Sequence, residues 1–329
     1  MHSITKNSPK VYRSNGKLLI TGEYAVLDGA LALAIPTKYG QSLTVEENDS
    51  DTIIWKSFDK NGEIWFDDAL IIEDGGIQKH TSTTLRQAQC GTLSTKVQND
   101  SSITDRLIQI LKAAKELNPE FLNSTQGYTV TTHLDFNRKW GLGTSSTLIN
   151  NVANWAKVDA YRLLAKTFGG SGYDIACAQN NSPITYQRIN PQKRIIKEVS
   201  FNPVFKSHLY FVYLNQKQNS RDGIKTYKAL GKLDASTINK INQLTASIMA
   251  SSSLADFEDL IIEHESLISN LIQQRPIKSK LFSDFNGAIK SLGAWGGDFV
   301  LVTSCTDPTT YFKSKGFETI IPYAEMALN

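Results

Sequence analysis

The sequence predicts a two-domain α+β protein. Its 329 residues are enough for two medium-sized domains, each with a substantial core. Strand-like and helix-like hydrophobic patterns occur in both halves of the chain, and a polar stretch at residues 190–202, with two prolines nearby, separates the halves. We therefore expect an N-terminal domain at residues 1–195 and a C-terminal domain at residues 196–329.

The composition argues against nucleic-acid and membrane partners. The formal net charge of +3 is too small to indicate nucleic-acid binding, although it is compatible with a local basic pocket for an anionic ligand. The longest apolar run, residues 30–36, is far shorter than the roughly 20 residues that span a bilayer. The polar first ten residues lack the apolar core of a secretion signal. We expect a small-molecule ligand, and a homodimer remains open.

Cysteine and histidine usage predicts a cytoplasmic protein without a metal-binding motif. Cys90, Cys177 and Cys305 are few, odd in number and widely spaced, which excludes a disulfide framework and a CxxC knuckle. The five histidines have no ligand-like spacing. His264, which falls on the apolar stripe of a predicted helix, is expected to be a packed residue.

The N-terminal half alternates predicted strands with amphipathic helices. The expected strands are residues 17–21, 41–47, 52–57, 63–67, 127–133 and 184–188. Helices are expected at residues 101–117, after residue 146 and, capped by Asp159, up to Phe168. Residues 75–99 are polar and weakly patterned, so we expect an extended loop or insertion there.

The C-terminal half begins with a predicted strand at residues 208–214. Three helices are expected at residues 222–231, 236–250 and 254–273, and the third has the longest apolar stripe. A glycine-rich turn at residues 293–297 precedes a strand at residues 298–303.

A glycine loop between a predicted strand and a predicted helix has the chemistry of an anion site. Glycines let backbone N–H groups approach phosphate oxygens, and the helix dipole favours negative charge. The hydroxyls that follow can add donors or a metal ligand. The loop consists of Gly141, Leu142, Gly143, Thr144, Ser145 and Ser146. It is neither a Walker loop nor a complete GxGxxG motif, and by itself an ordinary capped helix start is about as good an interpretation.

Three segments in order resemble the motifs of the GHMP kinases, a superfamily that includes galactokinase, homoserine kinase, mevalonate kinase and phosphomevalonate kinase. Residues 16–27 (GKLLITGEYAVL) resemble the first motif, residues 141–146 (GLGTSS) the ATP phosphate loop, and residues 293–298 (GAWGGD) the third. Residues 172–176 (GYDIA) also resemble a Gly-x-Asp-x-Ala segment of the family. The resemblance covers nearly the whole chain.

The resemblance implies a ribosomal S5 domain 2-like N-terminal domain and a ferredoxin-like C-terminal domain. It implies an ATP- and Mg²⁺-dependent kinase, and the motif wording favours phosphomevalonate slightly over mevalonate as the acceptor. Two alternatives remain open. One is another GHMP kinase that acts on a sugar or a homoserine-like alcohol, and the other is a catalytically impaired paralogue that only binds its ligand.

The resemblance also assigns catalytic and nucleotide-binding residues. Asp174 is the candidate catalytic carboxylate, and Lys17 the cation that stabilises transferred charge and keeps Asp174 ionised. Lys139 and residues 141–146 would bind ATP, and Ser145 would support Mg²⁺. The alternatives are a helix N-cap for Asp174 or Ser145 and a solvated strand end for Lys17.

Acceptor-binding candidates lie in three segments. They are Glu23, Lys217, Ser220, Arg221, Gly296 and Gly297. Arginine suits bidentate contacts with carboxylate or phosphate groups. A local structural role for Glu23, and a solvated turn capped by Ser220 for the Lys217 segment, are equally good interpretations.

Two positions depart from the family pattern. Thr167 and Phe168 stand where relatives often place an acidic magnesium ligand, and Trp295 replaces a usual glycine of the third motif. We expect the Trp295 ring to fill space near the substrate. These departures are the support for the binding-only alternative.

Overall fold

A computed structural model describes residues 8–73, 76–80, 101–124, 126–218 and 220–328 of the chain. Within these ranges twelve strands and ten helices form, so the predicted α+β class is confirmed. Contacts divide the chain into two units, both discontinuous in sequence. Unit 1 comprises Met1–Ser14, Gly40–Asn137 and Thr144–Gly169, and unit 2 comprises Asn15–Tyr39, Arg138–Gly143 and Gly170–Asn329.

Two long strands contribute residues to both units. These are β1 (Lys10–Leu19) and β2 (Ala32–Asn48). Within unit 1, residues 41–48 of β2 pair antiparallel with β6 (Gly127–Leu134). The next strand, β3 (Thr52–Phe58), pairs parallel with β6 and antiparallel with β4 (Ile64–Glu73), and the edge strand is β5 (Gly76–Lys79).

The described part of unit 1 also contains three helices. They are α1 (Ser101–Leu117), α2 (Thr144–Ala156) and α3 (Ala160–Thr167). Helix α1 buries Leu107, Ile110 and Leu111, as its apolar spacing predicts. The predicted cap is confirmed, because the Asp159 carboxylate accepts hydrogen bonds from the first backbone N–H groups of α3.

Unit 2 contains two groups of paired strands. Residues 32–34 of β2 pair with β7 (Ile184–Arg188), which pairs with β8 (Arg194–Glu198). A separate antiparallel sheet has the order β10-β11-β9-β12. Its strands are β9 (Leu209–Tyr213), β10 (Ile289–Ser291), β11 (Phe299–Thr303) and β12 (Ile320–Pro322).

The described part of unit 2 contains two long helices and five shorter ones. They are α4 (Tyr173–Gln179), α5 (Ser220–Ala229), α6 (Ala235–Ala250), α7 (Leu254–Ile272), α8 (Ile277–Leu281), α9 (Thr309–Ser314) and α10 (Tyr323–Met326). A 3-10 turn at Ala25–Asp28 follows β1. No helix within the described ranges combines the length and apolar character that a bilayer span requires.

Two segments expected to be irregular contain strands. Strand β8 lies inside the polar stretch at residues 190–202, and most of its residues are exposed or half-buried, so its composition gives little strand signal. Strand β5 occupies the start of the predicted loop at residues 75–99, whose residues 81–99 lie outside the described part. The domain boundary at residues 195 and 196 stays a prediction.

Candidate active site

Lys17 lies near the end of β1, in unit 2, and is tied to the glycine loop. Its backbone N–H donates to the carbonyl oxygen of Leu142 at 3.0 Å. The residues that follow Lys17 are buried apolar side chains, which anchor the strand while the Lys17 side chain stays 13% exposed. The backbone contact therefore places a partly accessible ammonium beside the loop.

Asp174 lies in the first turn of α4, and its carboxylate approaches Lys17. The Oδ1 atom is 3.9 Å from Lys17 Nζ, and the Asp174 side chain is 25% exposed. The N-cap of α4 is Gly172, which has a left-handed backbone (φ 92°). The helix-cap alternative for Asp174 is therefore not what the structure shows, and the carboxylate remains available for other chemistry.

Burial dominates the electrostatics of Asp174. Desolvation raises the pKa of its carboxyl group, whereas the Lys17 ammonium and a hydrogen bond from Tyr173 oppose that rise. Lys17 favours the ionised form of Asp174, as expected, but the loss of water has the larger effect on the pKa. A carboxyl group with a raised pKa is a better proton acceptor than an exposed aspartate.

The glycine loop packs closely around the two site residues. Gly141 and Gly143 have positive φ angles of 67° and 93°. A Cβ atom on Gly143 would lie 3.3 Å from Lys17 Cγ, and one on Gly293 would lie 3.8 Å from Lys17 Nζ. Glycines from two predicted motifs thus lie beside the Lys17 ammonium without side chains of their own. We call this arrangement the glycine cradle, and it suits phosphate oxygens.

The hydroxyl residues of the predicted ATP loop continue directly into α2. Thr144, Ser145 and Ser146 form its first turn, in unit 1, and Ser145 is exposed. Lys139, on the other side of the glycines, is exposed too, and its carbonyl oxygen accepts a hydrogen bond from the Tyr213 hydroxyl at 3.0 Å. Their predicted roles toward ATP stay predictions.

The donor set suits a magnesium ion held mainly by nucleotide phosphates. Among the described residues no group of three His, Cys, Asp or Glu side chains could form a metal cage. Mg²⁺ in kinases commonly takes one or two protein ligands together with phosphates and water, so the exposed Ser145 hydroxyl fits that arrangement.

Glu23 is buried in an ion pair rather than open to a ligand. It is 1% exposed, and its Oε1 accepts from Lys290 Nζ, which is 0% exposed. Burial raises the pKa of Glu23 to about 7, against the opposing effect of Lys290. Of the two interpretations of Glu23, the geometry favours the structural one and does not support the substrate contact.

His264 and Glu265 on α7 extend this buried cluster. His264 Nε2 accepts from the backbone N–H of Gly22 at 3.1 Å, and Glu265 Oε1 accepts from the Ser291 hydroxyl at 2.8 Å. His264 is the packed residue that the sequence predicted. Lys290 and Glu265 were missed, because a lysine on a strand and a glutamate on an amphipathic helix are normally surface residues.

The other acceptor-binding candidates take different positions. Lys217 is exposed and donates to the Arg138 carbonyl oxygen at 3.3 Å. A Cβ atom on Gly296 would lie 2.9 Å from Gln218 Nε2, so that glycine packs on the segment that carries Lys217. Gly297 packs there as well, against the carbonyl oxygen of Gln216. The side chains of Ser220 and Arg221, at the start of α5, lie outside the described part.

Trp295 is buried, and the expectation that its ring fills space near the substrate stays a prediction. The residue is 4% exposed and belongs to a buried cluster of unit 2. The partners of the ring there include Tyr24, Tyr227 and Ile268. Because apolar residues of α6 and α7 line this cluster, the ring joins the core.

Asp298, the last residue of the third motif, is a site residue that the sequence analysis did not single out. Its carboxylate lies directly against Gly141, since a Cβ atom there would be only 2.2 Å from Asp298 Cγ. Asp298 Oδ1 accepts from the backbone N–H of Gln218 at 3.2 Å. The only available signal was its position after two glycines in the motif.

Comparison with solved structures identifies the fold. No family model matches the chain, and no curated protein matches its sequence. Mevalonate kinase from Methanococcus jannaschii is similar with a TM-score of 0.64 and 14% identity, covering 98% of this chain and 99% of that one. Streptococcus pneumoniae phosphomevalonate kinase, in complex with phosphomevalonate and AMPPNP, has a TM-score of 0.64 and 16% identity over 97% of this chain and 98% of that one.

A sugar kinase has the same fold. Lactococcus lactis galactokinase, complexed with galactose, is similar with a TM-score of 0.60 and 10% identity, covering 94% of this chain and 89% of that one. The chain therefore has the GHMP kinase fold that the three motifs predicted.

Proposed function

We propose that this protein is an ATP-dependent kinase of the GHMP type that phosphorylates a small acceptor. The favoured acceptor is phosphomevalonate, and mevalonate is the second candidate. The fold supports a phosphotransferase, and the observation that carries the proposal is the Lys17–Asp174 pair beside the glycine loop. As part of the same proposal, the enzyme works in the cytoplasm, where ATP is abundant. The free thiols of Cys177 and Cys305 are compatible with that compartment.

Each residue of the pair has a role that its environment supports. The Asp174 carboxylate, with its raised pKa and partial exposure, accepts or orients the acceptor's proton. The Lys17 ammonium stabilises negative charge on the transferred group, and the glycine cradle holds that group near it. ATP supplies the phosphoryl group, and the Ser145 hydroxyl would hold Mg²⁺, which would neutralise phosphate charge.

The acceptor is the open part of the proposal. The motif wording favours phosphomevalonate, and the exposed Lys217 supplies a cation for an anionic acceptor. A sugar or a homoserine-like alcohol remains the alternative acceptor within the same chemistry. A binding-only protein is the alternative from another class, supported by the absence of an acidic residue at Thr167 and Phe168.

An ADP-release assay with four acceptors tests this function. Mevalonate, phosphomevalonate, homoserine and galactose are supplied with ATP and Mg²⁺, and we expect turnover with phosphomevalonate. With an alcohol acceptor, Asp174→Asn should lower kcat about 10²- to 10⁴-fold, because it removes the proton acceptor and keeps the side-chain shape. With phosphomevalonate, whose phosphate has a second pKa of about 6 and is mostly deprotonated at neutral pH, we expect kcat to fall because the acceptor is no longer oriented. Asp284→Asn is the matched control, since Asp284 pairs with Lys315 at the surface.

Three outcomes decide between the alternatives. Turnover with galactose or homoserine alone would show that the protein is a kinase with a different acceptor from the one proposed. ATP binding without turnover on any acceptor would favour the binding-only protein. Turnover that survives Asp174→Asn unchanged would refute the assignment of Asp174.

A further inference from the structure

Asp298 holds a backbone conformation that is unusual for a residue with a side chain. Its φ is 54°, in the left-handed region. Its N–H donates to the Gln216 carbonyl oxygen at 2.7 Å, and its own carbonyl oxygen accepts from the N–H of Leu214 at 2.8 Å. A non-glycine residue in this conformation costs about 1–2 kcal/mol. Glycine would avoid that strain, so the side chain of Asp298 is the feature to explain.

The Asp298 carboxylate connects two segments of unit 2. It packs on Gly141 of the glycine loop, where no side chain would fit, and it accepts the N–H of Gln218 from the loop after β9. Asp298 is 9% exposed, so the carboxylate is held mostly away from water.

Two lysines provide the positive charge that this buried carboxylate needs. Burial raises the pKa of Asp298, and the attraction of Lys17 and then of Lys217 opposes the rise. The hydroxyls of Tyr24, Tyr173 and Tyr213 also lie within electrostatic range of the carboxylate. Asp298 also lies against Gly141, next to Leu142, whose carbonyl oxygen accepts the Lys17 N–H, so Lys17 is attracted by two carboxylates, Asp174 and Asp298.

The distance between Lys17 and Asp174 shows that neither carboxylate has captured the ammonium. A direct hydrogen-bonded ion pair has an N–O distance of about 2.7–2.9 Å. The observed distance is 3.9 Å, and Lys17 Nζ lies beside Gly293 instead of closing on Asp174. Among the residues that the structure describes, no acceptor closes on the ammonium, so its donors are left unused beside the glycine cradle.

We propose that Asp298 is a positioning residue that draws the Lys17 ammonium away from Asp174. The inference rests on the proposed kinase function and adds a residue to it. With Lys17 held between two carboxylates, its N–H groups stay available to phosphate oxygens, and Asp174 stays free to accept the acceptor's proton. Without the charge of Asp298, Lys17 closes on Asp174 and both groups are withdrawn from the reaction.

Crystal structures of ligand-free variants test the geometry without any turnover. Asp298→Asn removes the charge and keeps the acceptor for Gln218, and Asp298→Gly removes the charge while relieving the positive φ. In both we expect Lys17 Nζ to move to within about 3 Å of an Asp174 oxygen. In Asp284→Asn the distance should stay at the wild-type value. An unchanged Lys17–Asp174 distance in the Asp298 variants would refute the proposal.

Kinetics separate positioning from a purely structural role. In both Asp298 variants we expect kcat to fall up to about 100-fold, as misplacement of a reacting group does, while the KM for ATP changes much less. A rise in ATP affinity together with faster turnover would instead mean that the carboxylate blocks the loop, and would overturn the proposal. If the wild type has no kinase activity, the proposed function fails, and the crystallographic distances still judge the role of Asp298.

Discussion

Gly141 shows how a single residue can be required for two independent reasons. Its φ of 67° is a conformation that side chains rarely adopt, and the Asp298 carboxylate occupies the space where a side chain would begin. Gly62, in the turn between β3 and β4, has a similar φ of 80° but has nothing within 4 Å of a Cβ atom. The two glycines therefore separate conformational strain from steric exclusion.

We predict that Gly141→Ala is more harmful than Gly62→Ala. Both variants should lose about 1–2 kcal/mol from the left-handed backbone, and Gly141→Ala should lose more because the methyl group displaces Asp298. Urea unfolding measures the difference in stability, and titration with AMPPNP measures binding at the loop. Equal destabilisation with unchanged AMPPNP affinity would show that the Asp298 contact is unimportant.

At the level of elements, a buried ion pair joins the segment after β1 to strand β10. Glu23 and Lys290 are both shielded from water, and α7 adds His264 and Glu265 beside them. Lys17 lies near the end of β1, and Gly293 follows β10 by two residues, so the pair joins two segments that each carry a residue of the candidate site. Buried pairs are weak sources of net stability, but an uncompensated buried charge is costly.

We predict that Lys290→Met destabilises the protein strongly. It leaves Glu23 without its cation, which should cost about 3–5 kcal/mol. The double variant Glu23→Gln/Lys290→Met should recover part of that loss, because Glu265 is then the one carboxylate of the cluster that still lacks the lysine's charge. Urea unfolding measures all three proteins.

A surface ion pair provides the control for this prediction. Lys166 and Glu116 are 2.8 Å apart, with side chains 45% and 64% exposed. Lys166→Met should cost less than about 1 kcal/mol, because water already screens the pair. A similar small loss for Lys290→Met, or no recovery in the double variant, would contradict the role given to the buried pair.

At the level of the whole molecule, the candidate site draws mainly on unit 2. Lys17, Asp174, Asp298 and residues 141–143 all belong to that unit. A ligand that binds only the folded chain raises its unfolding free energy, whatever the acceptor of the reaction is.

We predict that AMPPNP with Mg²⁺ raises the thermal midpoint of the protein. At 100 times the Kd the added stability should be about 2.7 kcal/mol, and AMP should give much less because it lacks the β- and γ-phosphates. Lys17→Met should reduce the shift, whereas Lys315→Met, which removes an exposed lysine paired with Asp284, should not. The same shift with AMP as with AMPPNP would argue against triphosphate binding at the loop.

Local patterns were sufficient for most elements and for part of the site. The apolar spacing in α1 and the strand–glycine–helix order around Gly141 need only neighbouring residues, because backbone geometry determines both. Strand β8 escaped detection because a polar edge strand has no apolar alternation to reveal it.

The sequence by itself determined the α+β class and the three glycine-containing motifs, since each depends on residue type and short spacing. The resemblance that these motifs carry supplied the candidates Lys17 and Asp174. Only the tertiary structure decided that Glu23 is paired with Lys290, 267 residues away, and that Asp298 lies on Gly141. It also decided that burial raises the pKa of Asp174 by more than the attraction of Lys17 lowers it. Desolvation and long-range pairing depend on which segments the fold brings together, and no local pattern contains that information.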